Sequence, residues 1–528
     1  MYWRRPTGRS DVIARDGVVA SSQPLATQAG LDILRKGGNA IDAAVATAAV
    51  LDVVEPFSTG CGGDAFTLIH LSGSTEPLSY NGSGHSGSLV TLEELMEKGW
   101  TSIPARGGPP VTVPGALHLW FYVVEQHGSL EMSDVLAPAI HYARNGFPVS
   151  PLIGQSWKSI PGVLKNTAAR EIYAPNGKVP LIGQIMKNED LADTFELVAS
   201  EGPAAFYTGR IAESIVNTVQ EFGGFLTLDD LEAHKTEETE PISTSYRGVD
   251  VYEHPPNGQG FAALILLNIM EIFDFSKFTP LSAERYHLMI EAKKLAYADL
   301  HQHNADPSFY DVPIDELLSK SYAKKRSKEI NPQQAMKVYA PGLELGHDTI
   351  YLATADGEGN AVSFINSLYM GIGSGLVAPG TGIKLQNRGH LFSLDPEHPN
   401  CYAPNKLPFH TIIPGALYKD KQIMGVFGIM GGAHQSQAHA QFVSNIVDYG
   451  MGPQEAMDCP RFNHEHKTNK VGLENGIPPD IQGEIAKLGH ILVHETDTYF
   501  GGGQAILRIE DAWIAGSDHR KDGQAAGF

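Results

Sequence analysis

The sequence predicts an α+β fold in which helices pack on antiparallel sheet. Two observations carry this prediction: helical hydrophobic patterns dominate the first part of the chain, and short strand patterns joined by turns open its last third. The chain has 528 residues, of which 42% are hydrophobic and 19% charged, so it can bury a large core. At roughly 150 residues per domain this length would give three or four domains, but the pattern favours fewer.

The first part of the chain opens with two helices that a glycine pair separates. An amphipathic pattern that starts near Leu25 ends at Gly37 and Gly38, and residues 40–53 then form an almost wholly apolar segment. Because this segment lacks a polar face, it must be buried against a sheet or other helices. Further helices are predicted over residues 116–126, 133–144, 261–272, 283–301 and the charged segment 314–334.

Strand patterns lie mainly after residue 348. Residues 349–355 and 361–366 are predicted to form two strands around Asp356-Gly-Glu-Gly-Asn360, which has the composition of a hairpin turn. Ahead of them, residues 341–348 predict an exposed linker that is open to cleavage. The remaining predicted elements are strands at 249–253, 412–418, 423–428 and 504–509 and a helix at 435–449.

Charge and cysteine content exclude several classes of partner. The net charge of -21 repels nucleic acid and anionic lipid surfaces. The three cysteines, Cys61, Cys401 and Cys459, form no CxxC pair and are odd in number, which fits a reducing compartment. No apolar run follows the basic N-terminus, and no stretch reaches the roughly 20 apolar residues of a membrane helix. The sequence therefore predicts a cytoplasmic protein with neither a nucleic-acid nor a membrane partner.

Common cofactor and nucleophile motifs are absent from the sequence. It contains no Walker A loop, no HExxH and no GxSxG elbow. Gly371-Ile-Gly-Ser-Gly375 lacks the strand-to-helix context of a dinucleotide fingerprint and is interpreted as a strand-linking turn. His464-Glu-His466 offers two imidazoles without an evident third ligand and is interpreted as a polar loop. We therefore expect neither a metal nor a cofactor.

Thr349 stands where the predicted linker becomes a strand. On its own pattern it is an ordinary β-branched residue that begins an edge strand. Its neighbourhood changes this interpretation, because the chain resembles the gamma-glutamyltranspeptidase family in four ordered blocks that cover nearly its whole length. The blocks are residues 22–45 with Val54-Glu-Pro56 and Gly60-Cys-Gly-Gly63; Val111-Thr-Val-Pro-Gly115; Asp348-Thr349 with Asp356-Gly-Glu-Gly-Asn-Ala-Val362; and Gly428-Ile-Met-Gly-Gly432 with Gly516-Ser-Asp-His-Arg-Lys-Asp-Gly-Gln-Ala-Ala-Gly-Phe528.

The resemblance implies an N-terminal nucleophile hydrolase, a four-layer αββα sandwich made as one inactive chain that cuts itself. The cut would fall between Asp348 and Thr349, and residues 1–348 and 349–528 would stay associated as one intertwined domain. Thr349 would then be the nucleophile, and its new α-amine, with a pKa of about 8, would serve as the base. An acyl-enzyme ester would pass its acyl group to water or to an amine, which gives hydrolysis or transpeptidation.

Three further positions carry over from the family as catalytic residues. Ser367 falls on the hydroxyl residue that hydrogen-bonds the nucleophile; the alternative is a strand hydroxyl satisfied by a neighbour. Gly431 and Gly432 fall on the paired glycines whose backbone N–H groups form the oxyanion hole, a role that needs close backbone approach. The alternative for this pair is a plain tight turn.

The substrate positions depart from the well-studied transpeptidases. Leu391 stands where an acidic residue binds the α-amino group of the glutamyl moiety, and leucine cannot pair with an ammonium group. Arg388 replaces an amide or acid, and His410 with Thr411 replaces the serine pair that holds the α-carboxylate. Because arginine binds a carboxylate bidentately, a carboxylate-bearing acyl group is expected. The alternative for Arg388 is a solvated surface residue.

Two further residues complete the predicted substrate pocket. The transpeptidases also use an arginine of the large subunit, and here His85 occupies that neighbourhood; Tyr369 is assigned to the pocket as well. Of the family's Thr-Thr-His opening only the nucleophile is kept, because residues 349–351 read Thr-Ile-Tyr. With these departures the chain resembles the branch of the family that includes cephalosporin acylases and oxamate amidohydrolase.

The sequence therefore predicts an autoprocessed amidohydrolase or acyltransferase that acts on a small carboxylate-bearing amide, with water or an amine as acceptor. Two alternatives stay open: true gamma-glutamyl transfer with glutathione hydrolysis, and an unprocessed homologue that binds a metabolite without catalysis. The expected assembly is a heterodimer of the chain's own two fragments, and further association of such pairs is left open.

Overall fold

The computed structural model describes residues 8–337, 348–495 and 497–528. Its strands are β1 Val12–Ala14, β2 Gly17–Ser21, β3 Asp64–His70, β4 Leu78–Gly82, β5 Phe147–Pro148, β6 Ile185–Met186, β7 Glu237–Thr239, β8 Ile242–Tyr246, β9 Val249–Glu253, β10 Asp348–Asp356, β11 Ala361–Tyr369, β12 Gly415–Lys419, β13 Gln422–Met430, β14 Phe462–Glu465, β15 Lys470–Leu473, β16 Ile491–Val493, β17 Gly502–Ile509, β18 Ala512–Ser517 and β19 Gln524–Gly527.

Its α-helices are α1 Pro24–Arg35, α2 Ala40–Val54, α3 Leu92–Glu97, α4 Ala116–His127, α5 Met132–Asn145, α6 Pro151–Ser156, α7 Thr167–Tyr173, α8 Glu189–Glu201, α9 Ala204–Tyr207, α10 Gly209–Glu221, α11 Leu228–Glu232, α12 Gly260–Met270, α13 Ala283–His303, α14 Ile314–Leu317, α15 Lys320–Arg326, α16 His434–Val447, α17 Pro453–Asp458 and α18 Pro479–Lys487. Short 3-10 turns occur at Trp157–Gly162, Pro175–Gly177, Phe275–Lys277, Ser327–Glu329, Arg388–Leu391 and Asp497–Phe500.

Two antiparallel seven-stranded sheets dominate the described part of the chain. The β10 sheet has the strand order β19-β2-β10-β11-β3-β4-β7, and the β13 sheet has the order β1-β18-β17-β13-β12-β9-β8. Each sheet combines strands from before and after residue 349, which gives long crossovers and pairings between distant parts of the sequence.

The inner faces of the two sheets share one buried hydrophobic cluster. Phe66 and Tyr351 contribute to it from the β10 sheet, and Ala416 and Val426 from the β13 sheet. Gly428 of β13 lies directly under the Tyr351 ring, where a Cβ atom would come within 2.3 Å of the ring carbons. The sheets therefore pack face to face at this point.

Helices pack against both sheets. Every residue of α2 is buried, as its lack of a polar face predicts, and this helix shares a cluster with Ile350 and Leu352 of the β10 sheet. Helices α12, α13 and α16 share a second cluster with Leu417 and Phe427 of the β13 sheet. The described chain thus combines helices with antiparallel sheet, as the sequence predicts. No helix within it has the length and hydropathy needed to span a membrane.

The helix predicted over residues 314–334 is wrong as a single element. The structure has the short helices α14 and α15 there, followed by a 3-10 turn. The side chain of Ser319 accepts a hydrogen bond from the Tyr322 backbone N–H at 3.1 Å, so this serine caps a new helix and separates it from α14. The other predicted helices and strands correspond to observed elements, with end points that shift by a few residues.

Two further predictions need correction, and one cannot be compared. The strand that begins at Thr349 is not an edge strand, because β10 lies between β2 and β11. Residues 353–356 of it pair with β2. His464 is buried in strand β14 and not in a polar loop. Of the predicted linker, residues 341–347 lie outside the described residues.

Candidate active site

Thr349 occupies an irregular point of the β10 sheet. The pairing register of β10 with β11 shifts between Asp348 and Ile350, so Thr349 lies at an irregularity of the ladder. The residue is 2% exposed, and its Oγ1 lies 3.1 Å from Ser367 Oγ on β11. The structure thus brings together the predicted nucleophile and the predicted hydroxyl partner across 18 residues of sequence.

Ser367 is fully buried and is itself held by the backbone. Its Oγ accepts a hydrogen bond from the Tyr369 N–H at 2.8 Å, which fixes the position of the hydroxyl oxygen beside Thr349. Tyr369 has a φ of +78°, a backbone conformation that is rare for a residue with a side chain. The unusual turn after β11 therefore helps to set the hydroxyl pair.

The glycine block at residues 60–63 packs directly against this pair. A Cβ atom on Gly63 would lie 2.3 Å from the Ser367 carbonyl oxygen, and one on Gly62 would lie 1.9 Å from the Lys384 carbonyl oxygen. Asn366 Nδ2 also donates to the Gly60 carbonyl oxygen at 3.2 Å. Side chains at positions 62 and 63 would displace this loop, so glycine is needed for close backbone approach.

Gly431 and Gly432 form the turn between β13 and α16. Their φ values of +131° and +57° favour glycine, and the next helical turn begins with His434 N–H donating to the Gly431 carbonyl oxygen. Gln259 holds the turn from the side, because its Nε2 donates to the Gly432 carbonyl oxygen at 2.8 Å and also to the Thr411 carbonyl oxygen. The start of α16 adds the positive end of a helix dipole at this turn.

Arg388 is a buried residue, so the surface alternative is wrong. It is 0% exposed, its Nη1 donates to Thr411 Oγ1 at 2.7 Å, and its guanidinium lies 4.6 Å from the centre of the Tyr369 ring. Its Nε and Nη2 atoms have no hydrogen-bond partner among the described residues. Burial lowers the pKa of Arg388 to about 10, so the group is cationic at neutral pH. One edge of a buried cation thus lacks a hydrogen-bonding partner.

Asp64, the first residue of β3, is the site residue that the sequence analysis missed. Its Oδ2 lies 3.8 Å from Arg388 Nε and accepts a hydrogen bond from His410 Nε2 at 3.0 Å. Its Oδ1 accepts from the Gly84 N–H at 3.1 Å. Burial raises the pKa of Asp64 to about 7, although Arg388 and the Gly84 amide act in the opposite direction. The only sequence signal is its position directly after the glycine block.

Of the remaining residues at the predicted substrate positions, His410 contacts Asp64 directly, and the others lie in different surroundings. Burial together with Arg388 lowers the pKa of His410 well below its usual value, so this imidazole is neutral and donates through Nε2. Leu391 is buried in the cluster of the β13 sheet. His85 is partly exposed, and its backbone carbonyl oxygen accepts a hydrogen bond from the Val113 N–H at 3.0 Å.

Two groups of histidines have the residue types of a metal site. His287 Nδ1, Glu291 and His490 Nε2 lie within 4.8 Å of one another, but the two imidazoles hydrogen-bond each other at 2.8 Å. Lys294 Nζ donates to Glu291 at 2.7 Å, which neutralises the carboxylate. In the second group, His464 Nδ1 lies 3.0 Å from Lys293 Nζ, so a lysine nitrogen occupies the position next to this ring atom. Neither arrangement favours a cation, and the expectation of a metal-free reaction stays a prediction.

An antiparallel two-sheet fold with a buried threonine and serine pair fits the class of amide hydrolases and acyltransferases. The gamma-glutamyltranspeptidase family model matches residues 26–528, and the chain belongs to this family.

Relatives with several activities resemble the chain over its whole length. It is 40% identical to the glutathione hydrolase-like YwrD proenzyme of Bacillus subtilis, over 98% of this chain and 99% of that protein. It is 32% identical to the oxamate amidohydrolase proenzyme of Klebsiella pneumoniae, over 98% and 100% of the two chains. The solved structure of cephalosporin acylase from Bacillus halodurans matches with a TM-score of 0.94 and 43% identity, covering 100% of this chain and 98% of that one. The chain is therefore an enzyme of the amide hydrolase and acyltransferase class.

Proposed function

We propose that the chain is an N-terminal threonine amidohydrolase or acyltransferase that cuts itself between Asp348 and Thr349 and acts on a small amide with a carboxylate in its acyl group. The single observation that carries the proposal is the 3.1 Å contact of Thr349 Oγ1 with Ser367 Oγ at a break in the strand register. Relatives named as proenzymes support self-cleavage. In this proposal the helices and sheets stack as the αββα layers of N-terminal nucleophile hydrolases.

Self-cleavage supplies the base that the threonine needs. Breaking the Asp348–Thr349 peptide bond frees the Thr349 α-amine, which accepts the hydroxyl proton as Oγ1 attacks the amide carbonyl carbon. The N–H groups of Gly431 and Gly432 stabilise the oxyanion that forms, and the leaving amine takes up the proton. Water or a second amine then attacks the ester and regenerates Thr349 Oγ1–H.

Arg388 is the group that selects the acyl part of the substrate. Its Nε and Nη2 edge has the geometry to bind a carboxylate with two parallel hydrogen bonds, and Thr411 holds the opposite side of the guanidinium. Leu391 is buried among apolar side chains and offers no charge to an α-ammonium group. A glutaryl-like or oxamate-like amide therefore fits the pocket better than a gamma-glutamyl amide. The predicted cytoplasmic location and the absence of nucleic-acid and membrane partners complete the proposal.

Self-processing is tested by replacing Thr349 with alanine. The purified wild-type chain should give a fragment of about 19 kDa, its share by length of the 57.0 kDa chain, with the N-terminal sequence Thr-Ile-Tyr-Leu. Thr349→Ala should stay intact and inactive, since it lacks the attacking hydroxyl. Thr354→Ala, which changes a threonine of the same strand, is the matched control and should still be cut. A cleaved and active Thr349→Ala protein would refute the assignment.

The acyl preference is measured with a substrate panel on the processed enzyme. Glutaryl anilide and oxamate should be turned over with higher kcat/KM than glutathione or a gamma-glutamyl anilide. A clear gamma-glutamyl preference would contradict the argument from Leu391 and favour true gamma-glutamyl transfer.

A further inference from the structure

Asp64 already balances the charge of Arg388 with its own carboxylate. Asp64 and Arg388 are both buried, at 0–1% exposure of their side chains, and their Oδ2 and Nε atoms are 3.8 Å apart. This distance is too long for a hydrogen bond, so Asp64 neutralises the guanidinium without occupying its Nε and Nη2 donors. The same donors are the ones that a substrate carboxylate needs. A second carboxylate must therefore approach Asp64 closely.

We propose that Asp64 couples substrate binding to proton uptake: when a carboxylate binds the free edge of Arg388, Asp64 takes one proton from solvent and holds it toward that carboxylate. The inference deepens the proposed function and rests on it. Asp64 is a specificity-determining residue in this account, because only an acyl group with a negative charge causes the uptake.

The driving force is the cost of an unpaired charge in a buried site. One guanidinium and two carboxylates would leave a net charge of minus one in a site from which water is excluded. A buried group whose charge has no counter-charge changes its pKa until it is neutral. Two carboxyl groups that share a site behave in this way, with one pKa raised so that the pair keeps a proton. The shared proton would lie between Asp64 Oδ2 and the bound carboxylate.

Three titratable groups near Asp64 have pKa values shifted away from neutral pH. Burial lowers the pKa of His410 well below its usual value and the pKa of His254, stacked beside it on Phe66, to about 3. Burial raises the pKa of Tyr207 well above its usual value. The directions of these shifts favour the neutral form of all three groups, while the pKa of Asp64 lies near 7.

The direction of the pH dependence follows from this value. Below pH 7 Asp64 is already protonated, and a carboxylate binds without uptake. Above pH 7 each binding event must take up a proton, so the apparent affinity falls about tenfold per pH unit until the pKa of the complex is reached. A neutral acyl group of the same length binds without this penalty at any pH.

The test compares kcat/KM of the processed enzyme for glutaryl-p-nitroanilide and pentanoyl-p-nitroanilide between pH 5.5 and 9. The kcat/KM for the glutaryl substrate is divided by the kcat/KM for the pentanoyl substrate. This ratio cancels the titration of the Thr349 amine, because that amine takes part in the reaction of both substrates. The wild-type ratio should be flat below pH 7 and fall about tenfold per unit above it. In Asp64→Asn the ratio should be flat throughout, because asparagine stays neutral.

A control variant tests whether the effect belongs to Asp64. Asp420→Asn makes the same chemical change in an exposed turn with φ +51°, which asparagine tolerates, and should keep the wild-type slope. If Asp420→Asn flattens the ratio as Asp64→Asn does, the change is not specific to Asp64 and the inference is wrong.

The wild-type ratio alone decides the inference if Asp64→Asn fails to fold or to process. A ratio that is constant from pH 5.5 to 9 would overturn proton coupling and leave the proposed amide hydrolysis intact. An enzyme that turns over neither substrate would instead contradict the proposed function. The two failures are therefore distinguishable in one data set.

Discussion

Arg388 shows how one side chain sets substrate choice. Its guanidinium is buried, donates a hydrogen bond to Thr411, and lies over the aromatic face of Tyr369, which stabilises the positive charge. Arg388→Leu should raise KM for glutaryl amides about ten- to hundredfold, since hydrogen bonds to charged groups contribute about 1.5–3 kcal/mol, and should leave KM for pentanoyl amides nearly unchanged. Steady-state kinetics on both substrates measure this difference.

The matched control for that change is Arg508→Leu, which removes an exposed arginine from β17 that contacts Trp513. Its KM values should equal those of the wild type. An Arg388→Leu enzyme with an unchanged KM for the glutaryl substrate would place Arg388 outside the pocket.

Among single residues, the sequence predicted those that a motif or a family position marks. Thr349 and Ser367 are adjacent in the structure because their strands form a hairpin, a local feature that turn composition reveals. Asp64 was missed because its partners Arg388 and His410 lie more than 300 residues further along the chain. Pairing over that separation depends on the complete fold, which hydrophobic periodicity does not encode.

At the scale of elements, the contact between β10 and β13 links the nucleophile strand to the strand that ends at Met430, directly before Gly431. Gly428→Ala would place a methyl group about 2.3 Å from the Tyr351 ring, whose hydroxyl is held 2.7 Å from Ser363 Oγ. Overpacking of this kind costs about 1–3 kcal/mol, so the variant should unfold at a lower temperature than the wild type. Thermal melting of both proteins measures the difference.

Gly483→Ala provides the control for this substitution. Gly483 lies in helix α18 with open space around its Cβ position, so alanine there should keep or raise stability by about 0.5–1 kcal/mol. If Gly428→Ala melts at the wild-type temperature, the two sheets are less tightly packed at this point than the contact implies.

Elements with strong periodicity were predicted well, and their neighbours in the sheet were not. The wholly apolar helix α2 is buried over its full length, as its composition requires. Strand β10 was expected at an edge, but β2 pairs with residues 353–356, and this pairing partner comes from the start of the chain. Strand order is a property of the whole molecule, because antiparallel neighbours that are far apart in sequence leave no local signature.

At the scale of the whole molecule, cleavage before Thr349 would cut a chain whose two parts share both sheets. Strands β2, β3, β1 and β9 belong to residues 1–348 and pair with β10, β19, β11, β18 and β12 from residues 349–528. Separating the two parts would break the hydrogen bonds of these strand pairs. It would also expose to water the hydrophobic clusters between the two sheets and between each sheet and its helices. The two fragments should therefore stay together after processing.

Size-exclusion chromatography of the processed enzyme should give one peak in which both fragments co-elute, at the volume of the uncut Thr349→Ala precursor. A denaturing gel of that peak should show the piece of about 19 kDa beside the larger fragment. Raising the urea concentration should release both fragments in a single transition that coincides with loss of secondary structure, because each sheet is completed by strands from both fragments. A small fragment that elutes alone without denaturant would show that the shared sheets do not hold the fragments together.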